Sequence, residues 1–89
     1  MAEDRLTIDT ATIFDNVNER RVEFAGEASG ERYAFAAQYD LLEALAAENP
    51  DDRPVQLFHA HADRIARAGV TALARDPDQV LVVISENDL

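Results

Sequence analysis

Eighty-nine residues carry 8 arginines, no lysine, 18 acidic side chains, 2 histidines and no cysteine, for a net charge of −10. A chain of that size makes one small domain, here residues 1–89, with stability on the order of 5 kcal/mol. The charge repels phosphate backbones and argues against nucleic-acid binding. No apolar run approaches the roughly 18 residues of a membrane span, the longest being Val80–Ile84.

The first five residues, Met1-Ala2-Glu3-Asp4-Arg5, are expected to fray. They hold neither the basic segment nor the apolar stretch of a secretory signal, so the expected location is the cytoplasm. Leu6–Ile8 and Ile13–Phe14 are short apolar stretches, one of which is expected to be an edge strand. Asp15 to Glu19 is turn chemistry, because Asn and Asp tolerate left-handed backbone and bond locally. Arg21–Ala25 alternates polar with apolar, which sets Val22 and Phe24 on one sheet face. Glu31–Ala37 does the same for Tyr33 and Phe35. The Gly-flanked segment Gly26–Gly30 between them predicts a β-hairpin.

From Tyr39 the period changes. Leu41, Leu42 and Leu45, with Ala44, Ala46 and Ala47, predict a helix that Asn49-Pro50 stops. Asp51, Asp52 and Pro54 offer the cap and first turn of a second helix running to Arg75. On it Phe58, Ala62, Ile65, Ala66, Gly69, Ala72 and Leu73 fall within about 120° of one another and form the buried stripe. Its small members permit close approach to the sheet or to the first helix. Val80–Ile84 is apolar at every position and predicts a strand covered on both faces, or a central one with a partner against its second face. The expected fold is α+β: a small, mainly antiparallel sheet with two helices on one face.

This succession resembles a bacterial family, the one catalogued as domain-of-unknown-function family 1488. The resemblance is carried by Phe14-Asp15 before Val22-x-Phe24, and by the hairpin to Tyr33-Ala-Phe35-Ala-Ala37. It continues through Leu42-Glu43-Ala44-Leu45 and Phe58 with Asp63-Arg64-Ile65, to the apolar strand and Asp88-Leu89. The sequence departs from the family at Gln38, where a Ser or Thr cap is usual, and by one extra residue before Val22. The resemblance implies a single α+β domain. It implies no activity and no catalytic or binding residue.

Few residues offer chemistry. His59 and His61, two apart on a helix, would point roughly 160° away from each other and read as boundary residues. His59 and Asp63 could share a ligand only with a third donor, such as a loop carboxylate. That arrangement is the alternative reading, a small enzyme or metal-binding protein. Ser29 lies in a turn followed by a strand, which is not a nucleophile elbow, and Ser85 ends a strand. The acid pairs Asp51/Asp52, Asp76/Asp78 and Glu86/Asp88 read as solvated loop carboxylates. No phosphate-binding loop is present, and no cofactor or metal is expected.

Charge distribution says more. Arg64, Arg67 and Arg75 fall within about 80° of one another, opposite the buried stripe. They make a basic stripe on an acidic chain, the candidate contact for an acidic protein partner or a second copy of this chain. The expected function is a non-enzymatic interaction module.

Overall fold

The computed structural model describes residues 5–75 and 78–89. The expected fraying of the first residues falls, apart from Arg5, outside them, as do Asp76 and Pro77. Four strands pair in sequence order, β1 (Leu6–Asn16), β2 (Arg21–Ala28), β3 (Glu31–Gln38) and β4 (Leu81–Ile84). Pairing is antiparallel through β3 and parallel from β3 to β4. Among the described residues, helices α1 (Tyr39–Ala46), α2 (Pro54–Ala60) and α3 (Ala62–Arg75) form the connection from β3 to β4, and a 3-10 turn (Glu86–Asp88) follows. The fold is α+β, with a mostly antiparallel sheet.

The two apolar stretches near the N-terminus belong to one strand. Between Asp9 and Phe14 its ladder is interrupted by a bulge. The Thr12 hydroxyl bridges the gap: it donates to the Asp9 carbonyl at 2.6 Å and accepts from the Ala25 N–H at 2.8 Å. A side chain thus replaces a missing backbone partner, which is why a single strand was not expected there.

The hairpin forms, but its turn is tighter than residues 26–30. Ser29 and Gly30 alone reverse the chain, both at positive φ (53° and 81°), the signature of a type I′ turn. Gly26 lies inside β2 for a different reason. A Cβ there would stand 2.8 Å from Leu6 Cδ1, and one on Gly69 of α3 would stand 2.7 Å from Leu6 Cδ2. Leu6 therefore fills the space of two absent side chains and lets α3 approach the sheet.

The single second helix is corrected to two. His61 leaves helical geometry (φ −120°, ψ 25°) between α2 and α3, and Ile65 resumes the ladder on the His61 carbonyl. Neither Gly nor Pro occurs between Val55 and Ala68. Packing imposes the break: α2 buries Pro54, Leu57 and Phe58, whereas α3 lays Ile65, Ala68, Gly69 and Ala72 against the sheet. The break rotates the expected stripe, so that Ala62, Ala66 and Leu73 are only half-buried and Ala68 joins the core. The expected Asp cap is also absent. Arg53 is the N-cap, without a side-chain bond, because Asp51 turns to Arg20 at 3.1 Å. Helix α1 ends earlier than expected, with Ala47 left-handed at φ 58°.

Strand β4 is likewise corrected. It begins at Leu81, with Val80 fully out in solvent, and it is an edge strand. Only Val82 and Ile84 are buried; Leu81 and Val83 are half-buried. The core lies between the helices and one sheet face, where Phe24 stacks on Phe35 at 5.2 Å and meets the Phe58 ring edge-on at 5.0 Å. Such ring pairs add to the stabilisation from area burial alone.

Candidate interaction surfaces

The arginine stripe is built on α3. Arg64 and Arg67 are exposed, and with Ala68, Thr71, Asp88 and Leu89 they line a shallow recess against the chain's last turn. Arg75 is placed otherwise. Its guanidinium bonds the Asp88 carboxylate, which is fully covered, and reaches the Val83 carbonyl of β4 at 3.4 Å. Asp88 also accepts from the Ser85 N–H at 3.0 Å, while Ser85 Oγ accepts from the Asn87 N–H at 3.2 Å. Ser85 and Asp88 thus form a capping box that Arg75 latches to the end of α3. Asp88 is therefore no solvated loop acid. The signal in the sequence was the Ser85-x-x-Asp88 spacing.

The histidines do not share a helix. His59 is exposed in α2, and His61 is half-buried at the break. With Asp63 and Arg64 they border an open depression. The Arg64 guanidinium there opposes a cation. Among the described residues, no three His, Asp or Glu side chains group as metal ligands would. Ser29 sits in the tight turn as expected.

A polar cluster escaped sequence reading. The Tyr39 hydroxyl donates to Asp15 at 2.6 Å, and Arg20 lies over the Tyr39 ring at 5.0 Å while pairing with Asp51. The Tyr39 N–H donates to the Arg20 carbonyl at 3.0 Å. Burial first, and then the bond to Asp15, push the Tyr39 phenol up to about 12. A phenol held protonated in that way is a donor and no base, so the cluster ties β1, the β1–β2 turn and α1 together. Glu19, Asp40 and Glu43 rim the open recess beside it.

The face of the sheet away from the helices is the remaining surface. Register places Phe14, Ala25, Ala34, Ala36, Leu81 and Val83 on that side; among them Phe14 and Ala34 are exposed, Ala25, Leu81 and Val83 half-buried, and Ala36 covered by its neighbours. Phe14 is 58% exposed. Polar groups mark its two ends. At one, Glu23 accepts from Asn16 at 2.9 Å and from Arg21 at 2.8 Å; the Asn16 bond first, and then the Arg21 bond, hold its carboxyl below the usual range. At the other, Arg32 bonds Asp9 at 2.8 Å and stands 3.7 Å from Glu27, and Asp9 is likewise lowered by its bond to Arg32. The sequence signal for this face is the unbroken apolar run of β4.

Among solved structures, a protein of unknown function from the DUF1488 family of Shewanella loihica superposes with a TM-score of 0.72 at 16% identity. The match covers 96% of this chain and 97% of that one. The chain has the DUF1488 fold. The resemblance read from Phe14-Asp15 to Asp88-Leu89 therefore holds over the whole architecture, and the DUF1488 neighbour brings no specific function with it. No family model matches the sequence, and no curated protein is similar to it.

Proposed function

We propose that this DUF1488-like chain is a non-enzymatic protein–protein interaction module of the bacterial cytoplasm. The observation that carries the reading is the helix-free sheet face, where Phe14 stands 58% exposed beside Ala25, Ala34 and Leu81. Exposed contiguous apolar surface is costly in water and marks contact surfaces. Polar groups rim it, as they rim protein interfaces. Arg64 and Arg67 supply a second exposed surface, suited to carboxylates on an acidic partner. The bacterial setting is supported by the Shewanella neighbour.

The test compares the parent with Ala34→Glu as bait in an extract of the native host, read by mass spectrometry and by size in solution. The expected result is a specific association, with another protein or with itself, that the parent shows and Ala34→Glu loses. Identical associations for both proteins would remove the sheet face from the reading.

A further inference from the structure

We infer that the occupant of the helix-free face is a second copy of this chain, packed sheet against sheet about a twofold axis lying between the two faces. The inference rests on the interaction-module reading and names its partner.

Charge argues first. Strand residues put two arginines (Arg21, Arg32) and three carboxylates (Asp9, Glu23, Glu27) on this face, a net of −1 on a chain of −10. Two copies repel through most of their surfaces, and a face of net −1 opposes its own image only weakly. The charges are also arranged to suit a self-complementary contact. Arg21 with Glu23 is a balanced end; Arg32 with Asp9 and Glu27 is an end with one carboxylate in excess. An axis perpendicular to the strands sets the carboxylate-rich end of one copy over the Arg21 end of the other.

The sheet edges argue second. The bulge breaks the β1 ladder, and β4 is four residues long with its Val83 carbonyl bonded by Arg75. Bulges, short edge strands and charged edge groups all oppose strand addition. A second copy is thereby directed to the face.

Area sets the strength. Strands of eleven, eight, eight and four residues, at about 3.4 Å per residue and about 4.8 Å spacing, make a face of about 500 Å². Two copies would bury about 1,000 Å² in total, the lower end for a specific interface. A weak dimer follows, with a dissociation constant on the order of micromolar.

Sedimentation velocity on the full chain, from about 5 to 500 µM, tests this around the expected constant. The parent should shift from monomer to dimer. Added salt should strengthen the dimer, because it screens repulsion between the copies and spares apolar contact. Ala34→Glu and Phe14→Ser should each weaken the dimer at least tenfold while keeping the parent's circular dichroism. Phe14 is exposed enough that its loss leaves the fold intact even if the Glu does not. Thr71→Glu, exposed on α3, should leave the dimer unchanged. A parent monomeric at the highest concentration overturns the inference, as does a dimer that both face variants keep or that Thr71→Glu abolishes. A monomer that binds a different protein in an Ala34→Glu-sensitive way overturns the second copy and leaves the module. A monomer with no such binding overturns both.

Discussion

Tyr39 shows how much one side chain can hold. Its hydroxyl bonds Asp15, its ring carries Arg20 and its N–H meets the Arg20 carbonyl, so three chain segments converge on it. Its pKa of about 12 lies above the ordinary 10.0, so folding favours the neutral phenol. The stabilisation this supplies is complete below pH 10 and is lost as pH rises from 10 through about 12. Tyr39→Phe should cost about 1.5–3 kcal/mol at pH 7, the worth of a bond to a charged group. Above pH 10 the variant should lose less further stability than the parent. What decline it keeps comes partly from Tyr33, which burial and Glu31 also raise. Urea unfolding at pH 7, 9.5 and 11 checks both points, and parallel curves for the two proteins would remove the role given to the hydroxyl. Phe24, Phe35 and Phe58 were legible as core from periodicity alone. The Tyr39 cluster was not, because its partner Asp15 is 24 positions away and only the fold brings them together.

At the scale of elements, the Ser29-Gly30 turn makes the plainest prediction. Both residues hold positive φ, and only Gly does so without cost. A Cβ on Gly30 would meet nothing within 4 Å, so the penalty of Gly30→Ala is conformational alone, about 1 kcal/mol. Ser29→Asn should stabilise by about 0.5 kcal/mol, since Asn-Gly is the favoured type I′ pair. Both shifts are readable as denaturant midpoints, and a neutral Gly30→Ala would contradict the turn type. The hairpin was legible because its strands alternate around a Gly-flanked gap. The break at His61 was not, since the local sequence is helix-compatible and only the packing of α2 and α3 imposes it. The β1 bulge was hidden for a related reason: a threonine hydroxyl does the work of a backbone group.

For the whole molecule the governing quantity is charge. The α+β class followed from the order of strands and helices. The open sheet face did not, because an apolar run such as Val80–Ile84 reads the same whether protein or solvent lies beyond Leu81 and Val83. A chain of −10 with no lysine repels itself in the folded state, so its melting temperature should rise as salt is added. The screening length falls from about 30 Å at 0.01 M to about 8 Å at physiological ionic strength, so most of the gain should come over that range. Reversing both Arg64 and Arg67 to Glu moves the net charge by two units at each site, from −10 to about −14. Each is exposed, so the direct cost to folding should stay within about 1 kcal/mol. The double variant should melt below the parent at low salt and converge with it as salt is added. Association separates the two surfaces. Contacts made by the Arg64 and Arg67 guanidinium groups would weaken with salt and vanish in the double variant. Contacts made by the sheet face would strengthen with salt and survive the reversal. A salt-weakened complex lost on reversal would move the interface from the sheet to α3.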